Sequence, residues 1–213
     1  MNSIPVNEPL IGNNAAKYVA ECVERGWVSS EGRFIGEFEG AWASFCGGKE
    51  GVAVNSGTAA LEIAVAALEL EPGSEVILPS YTIICCATAV IAAGCTPVLV
   101  DCDSNTWCMD VNAVADKITP HTRAIMPVHI FGHPVDMDPL MALADKHGLA
   151  VVEDAAESHG AEYKGKRVGA IGDLGCFSFY ANKIITTGEG GMVVARDGTH
   201  TERLRYLRNM CFR

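Results

Sequence analysis

The sequence predicts an α/β fold, a mainly parallel sheet with helices on both faces. Three observations carry this. Short apolar runs alternate with helix-patterned segments through most of the chain. The strand-like runs are apolar throughout instead of alternating with polar residues, as strands covered on both faces are. The chain has 213 residues, 49% of them apolar and only 20% charged, enough for one sizeable core and incompatible with disorder.

Taken in order, residues 13–25 (Tyr18, Val19, Cys22, Val23) and 34–45 (Phe34, Ile35, Phe38, Trp42, Phe45) have helical spacing. Strand-like runs follow at 51–54, 75–78, 97–100, 123–128 and 150–153, and helix-like stretches at 58–70, 82–93, 111–117 and 139–147 lie between them. Alternation of this kind indicates right-handed crossovers between parallel strands. The last third differs, with runs at 175–180 and 191–195 separated by the polar loop ANKIITTGEG, then an amphipathic basic helix at 199–210. The chain stops at Cys211, Phe212 and Arg213 directly after that helix, which reads as a cut. Apolar surface at Leu204, Leu207, Met210 and Phe212 is therefore expected to lie exposed, an association liability.

Charge and composition exclude several functions. Twenty-six acidic against 16 basic residues give a net charge of −10, which argues against nucleic acid or an anionic membrane as partner. The longest apolar stretch, 81–95, falls short of the ~20 residues that span a bilayer. The start MNSIPVNEPLIG has neither a basic leader nor an apolar signal core, so a cytoplasmic location is expected. Nine cysteines contain no C-x-x-C pair, so Cys85, Cys86 and Cys95 are expected to pack as small hydrophobes without metal or disulfides.

In an open α/β sheet, ligands bind beyond the carboxyl ends of strands, so the loops there carry the chemistry. Asn55, Ser56, Gly57 and Thr58 make a tight turn that opens a helix. Ser56 or Thr58 can cap it, and the free amides with the Thr58 hydroxyl can equally hold a phosphate. The G-K-[ST] ending of a nucleotide-triphosphate loop is missing. Tyr81, after the second run, can stack on a planar ring or simply pack. Glu153 and Asp154 end a strongly apolar strand, so at least one carboxylate reaches the sheet edge, where it needs a cation or several donors. Glu157 and His159 follow without metal-ligand spacing, and His129 and His133 fall in a loop around Gly132. Lys183 stands just beyond FSFYAN in nearly apolar surroundings, where an amine becomes nucleophilic, although a plain surface lysine fits as well. Ser178 alternates with Phe177 and Phe179 and so faces the other way.

One ligand accounts for these loops together, pyridoxal 5'-phosphate. Its phosphate needs a helix N-terminus with hydroxyls, its ring a stacking partner, its ring nitrogen an anion and its aldehyde a lysine. Asp154 would keep the ring nitrogen protonated and Lys183 would bind the aldehyde and move protons.

At NSGTAAL (55–61), LPSYT (78–82), EDAAES (153–158) and FSFYANKIITTGEGG (177–191) the sequence resembles the DegT/StrS family of sugar aminotransferases. The resemblance covers essentially the whole chain, and the last two motifs are highly specific. It implies the fold of aspartate aminotransferase (fold type I), with residues 1–30 an arm and helix and 31–213 the cofactor-binding large domain. The small C-terminal domain and a segment reaching the neighbouring subunit's phosphate would be missing. Carried over residue by residue, Ser56, Gly57, Thr58, Ala59 and Ser178 hold the phosphate, Tyr81 stacks on the ring, Asp154 pairs with the ring nitrogen and Lys183 forms the imine. Family members often carry Gln at the position of Glu157, contacting the ring hydroxyl; a carboxylate there would repel the ring's phenolate. A subgroup with His in place of the lysine deoxygenates sugars, so Lys183 points to transamination. FGHPVDMDPL with NKIITTGEGGMVV looks most like members that aminate C4 of GDP-4-keto-6-deoxymannose with L-glutamate as homodimers. An inactive cofactor-domain fragment, or a relative acting on a UDP- or dTDP-linked ketosugar, is the alternative.

Overall fold

Each expected apolar run becomes a strand, and each strand runs in register with a neighbour. The computed structural model describes residues 4, 8, 10–12, 14–30 and 32–211. In chain order the strands are β1 (Glu50–Val54), β2 (Glu75–Pro79), β3 (Thr96–Val100), β4 (Thr122–Ile125), β5 (Ala150–Asp154), β6 (Glu162–Tyr163), β7 (Lys166–Arg167), β8 (Leu174–Ser178) and β9 (Gly191–Ala195). Seven of them form one sheet in the order β1-β9-β8-β5-β4-β2-β3. Pairs β2–β3, β2–β4, β4–β5 and β5–β8 are parallel, and β9 alone runs antiparallel, to both β1 and β8. The expected mainly parallel sheet is therefore present. The antiparallel hairpin of β6 and β7 was not expected, because two-residue strands leave no alternation to read.

Helices α1 (Ala15–Arg25), α2 (Arg33–Cys46), α3 (Gly57–Ala67), α4 (Cys85–Ala92), α5 (Val111–Lys117), α6 (Met137–His147) and α7 (Thr201–Arg208) supply the covering layers. Side chains of adjacent strand residues go to opposite faces. Cys176 and Val193 join the larger cluster, with Ala60, Leu61 and Ala64 of α3. Their chain neighbours Phe177, Met192 and Val194 pack on the other face around Trp42 of α2. Trp42 meets Phe177 and Phe179 edge-on, with centroids 5.2 and 4.9 Å away, a favourable quadrupole geometry.

The last helix corrects one expectation. Leu204 is fully buried and Leu207 partly so, both packed in the larger cluster, because α7 folds back against α3 and β1. Met210 is exposed as expected, and Phe212 lies outside the described residues. The helix stops at Arg208, short of 210, where Met210 and Cys211 take positive φ.

Candidate active site

All strands of the seven-stranded sheet but β9 point the same way, so the loops after β1, β2, β5 and β8 meet at one sheet edge. Each carries residues singled out from the sequence.

After β1, Ser56 adopts an extended backbone and its Oγ accepts the Ala59 amide at 3.1 Å, capping α3. The capping reading is thus realised, and it occupies Ala59. The amides of Gly57 and Thr58, in the helix's first turn, have no carbonyl of their own helix to bond and face the loop side with partial positive charge. Gly57 is required by close approach: a Cβ there would lie 2.7 Å from Ser178 Cβ and 3.1 Å from Ser178 Oγ. The absence of a side chain brings the buried Ser178 hydroxyl, at the end of β8, against the N-terminus of α3. Thr58 is exposed beside them.

After β2, Tyr81 is exposed, with its ring 5.4 Å from Trp107 and 6.3 Å from Phe131. Trp107 and Phe131 both have positive φ, 63° and 50°, a costly backbone for aromatic residues. Three rings thus form an exposed wall over this edge. The sequence reading found Tyr81 alone, since nothing in the spacing of Trp107 or Phe131 reveals a left-handed backbone.

At the end of β5 the two carboxylates part company. Glu153 is buried and accepts from His129 Nε2 at 2.9 Å and from the amides of Gly169, Ile171 and Gly172 at 2.8, 2.8 and 2.6 Å. His129 Nδ1 accepts the Val135 amide, which places the ring proton on Nε2 as the donor to Glu153. Burial pushes the Glu153 carboxyl up, but these donors outweigh it and hold it below its usual range. Asp154 is the carboxylate that reaches the edge. It is also buried, accepting the Cys86 thiol on Oδ2 (3.0 Å) and the Ala156 amide on Oδ1 (3.0 Å), its only donors among the described residues. Burial dominates there and raises its carboxyl above the usual range.

Beyond β8, Lys183 Nζ lies 3.4 Å from Glu157 Oε1, a pair that is partly shielded. Glu157 Oε2 accepts the Phe131 amide at 2.9 Å, tying the aromatic wall to the lysine. His159 packs between Trp42 and Phe179 and accepts the Ile185 amide, and burial lowers its imidazole to about 4. Of the expected residues, Ser56, Gly57, Thr58, Ser178, Tyr81, Asp154, Glu157 and Lys183 therefore share one edge, and Ala59 is taken up by the cap. Cys86 and the His129–Glu153 tie were missed; a buried thiol and a histidine in a loop carry no periodic signal.

The donor set suits a phosphorylated heteroaromatic aldehyde. It offers two helix amides with hydroxyls, a ring wall, an amine, and a buried carboxylate that no described ion pair reaches.

Comparison with known proteins agrees. Residues 9–213 match the model of the DegT/DnrJ/EryC1/StrS aminotransferase family. The chain is 50% identical over 205 residues to the GDP-perosamine synthase of Caulobacter vibrioides, covering 96% of this chain and 55% of that one. It is 49% identical over 173 residues to the dTDP-3-amino-3,4,6-trideoxy-alpha-D-glucose transaminase of Streptomyces venezuelae, covering 81% and 46%. The solved PLP-form of Spr1654 from Streptococcus pneumoniae superposes with a TM-score of 0.91 at 30% identity, covering 97% of this chain and 58% of that one. The chain thus spans about half the length of the curated relatives it matches.

Proposed function

The chain belongs to the DegT/DnrJ/EryC1/StrS aminotransferase family, and on that premise we propose that it holds pyridoxal phosphate within a nucleotide-sugar aminotransferase. In the full-length protein the reaction would move an amino group from L-glutamate to C4 of a nucleotide-linked 4-keto-6-deoxy sugar, with GDP-4-keto-6-deoxymannose the first choice. Residues 31–213 would be its cofactor domain and 1–30 an arm, in a homodimer in the cytoplasm. No described helix is long and apolar enough to cross a membrane.

The observation that carries this reading is Asp154, a buried carboxylate at the sheet edge with few donors, facing the same loops as Lys183. Bound there, pyridoxal phosphate would supply an aldehyde for an amine and a protonated ring that withdraws electrons from the reacting carbon. The Gly57 and Thr58 amides, with the Thr58 and Ser178 hydroxyls, would hold the phosphate, using the positive end of α3. Tyr81 would lie along the ring face. Asp154 would hold a proton on the ring nitrogen, which removes the cost of its own burial. Lys183 Nζ would bind the aldehyde and serve as the general base that takes and returns the substrate proton. Glu157 steadies the lysine's charge through the 3.4 Å contact and is itself held by the Phe131 amide. If position 157 meets the ring hydroxyl, as the resemblance implies, its carboxylate would have to stay turned to Lys183, as it is in the 3.4 Å contact.

The GDP-linked sugar is favoured by 50% identity to the Caulobacter relative over nearly all of this chain. The 49% identity to the dTDP-sugar transaminase supports the second reading, in which chemistry is unchanged and the nucleotide differs. The natural full-length protein, supplied with L-glutamate, should aminate GDP-4-keto-6-deoxymannose faster than the UDP- or dTDP-linked ketosugars. Amination of only a UDP- or dTDP-linked sugar overturns the substrate choice, and amination of none overturns the enzymatic reading.

A further inference from the structure

Cys86 lies in the second turn's worth of residues after Tyr81, inside α4, and is completely buried. A thiol buried in a core is ordinarily a small hydrophobe with a long, weak contact. The other described thiols that donate fit that pattern for the most part: Cys95 and Cys102 lie 3.8 Å from their acceptors, Cys176 3.6 Å and Cys108 3.1 Å. Cys86 Sγ stands 3.0 Å from Oδ2 of Asp154, and its acceptor is the only carboxylate of the candidate site buried to this degree. Behind it, Thr82 Oγ1 lies 3.3 Å from the same sulfur. The thiol proton is directed at Asp154, so the Thr82 hydroxyl donates to sulfur, and a donor that itself accepts is a stronger donor.

The thiol also keeps its proton. The neighbouring Cys85 sulfur, burial and the Asp154 charge all push the Cys86 thiol upward. It is therefore a donor, never a competing anion, throughout the neutral range. Around Asp154 stand Lys183, whose positive charge would favour the carboxylate, the neutral His129 ring and the thiols of Cys85, Cys86 and Cys176. Among the described residues, only Cys86 and the Ala156 amide donate to it directly.

We propose that Cys86 is a positioning residue for the cofactor site: its S–H fixes the Asp154 carboxylate and weakens it as a base, so that a shared proton stays on the ring nitrogen. This rests on the reading of Asp154 as the partner of that nitrogen. Without the thiol, a buried carboxylate with one remaining donor would draw the proton to itself, leaving a neutral ring that withdraws electrons poorly.

Two measurements on the natural full-length protein test this. In cofactor-free protein labelled with ¹³C-aspartate, the Asp154 carboxyl carbon, identified by its loss in Asp154→Asn, should titrate about one pH unit higher in Cys86→Ala than in wild type. Cys86→Ser, which keeps a donor of nearly the same size, should stay close to wild type. In protein loaded with pyridoxal phosphate labelled with ¹⁵N in the ring, wild type and Cys86→Ser should show a protonated nitrogen, and Cys86→Ala a resonance moved toward the unprotonated position. An Asp154 titration unchanged in Cys86→Ala overturns the inference alone. A wild-type protein whose Asp154 responds as expected but which takes up no cofactor overturns the reading of the site and, with it, the role given to the thiol.

Discussion

Glu153 and Asp154 are consecutive residues at the end of one strand, equally buried, and held in opposite ways. Glu153 is saturated by a histidine and the amides of Gly169, Ile171 and Gly172, which bind the loop before α6 to the turn that leads into β8. Asp154 has a thiol and one amide. The pleat sends the two side chains to different walls, so one carboxylate becomes framework and the other keeps capacity for a cation. The number of donors, not burial, separates a structural carboxylate from a functional one.

The sharpest way to break this contrast is Asp154→Asn. Losing one partner of a buried charge costs about 3–5 kcal/mol, so the half-reaction of the full-length enzyme with glutamate should slow by roughly 10²–10⁴-fold. The cofactor-free protein should keep its denaturant midpoint or gain stability, since a poorly satisfied buried acid is gone. Near-normal half-reaction rates would show that Asp154 is not the electron-withdrawing partner.

Glu153→Ala should do the reverse. It leaves His129 Nε2 and the three amides without their acceptor in the core, and a loss of ~3–5 kcal/mol of stability is expected by chemical denaturation. A variant as stable as wild type would mean that the tie holds nothing.

Titration sharpens the comparison further. Glu153 is held below its ordinary value, so its contribution is present at neutral pH and is lost as pH falls through about 4.5 and below. Asp154 is raised above its ordinary 3.8, so the folded state binds its proton more tightly and stability is lost as pH rises through the window above 3.8. Stability measured from pH 3 to 8 should therefore lose its acid-side decline in Glu153→Gln and its decline above pH 4 in Asp154→Asn. Equal slopes in both variants would contradict the assignment.

The smallest effect belongs to His159. Burial lowers its imidazole from 6.5 to about 4, so the unfolded chain takes up the proton first and stability falls as pH drops from 6.5 toward 4. Its partial exposure screens the effect to about 1–2 kcal/mol. His159→Gln should flatten that part of the stability profile, and an unchanged slope would remove His159 from the account.

Much of this architecture was legible because strands covered on both faces read as apolar runs, and helices between them show their own period. The site residues were legible for a different reason: sheet edges are where loops end, and motifs such as EDAAES and FSFYANKI fall there. Leu204 was misjudged because a helix at the end of the chain gives no sign of folding back onto α3 and β1. The different fates of Glu153 and Asp154 were hidden as well. Alternation shows that they diverge, but not that His129 and three amides wait on one side while a thiol waits on the other. Trp107 and Phe131 were silent because a left-handed backbone at an aromatic residue is set by tertiary contacts.

The central claim is that Lys183 and Asp154 face one bound cofactor. Incubating the natural full-length protein with pyridoxal phosphate, reducing it with borohydride and mapping its peptides tests that directly. The expected result is a pyridoxyl group on Lys183, greatly diminished in Asp154→Asn at limiting cofactor. A label on Lys164 or Lys166 instead, or no label at all, would contradict it.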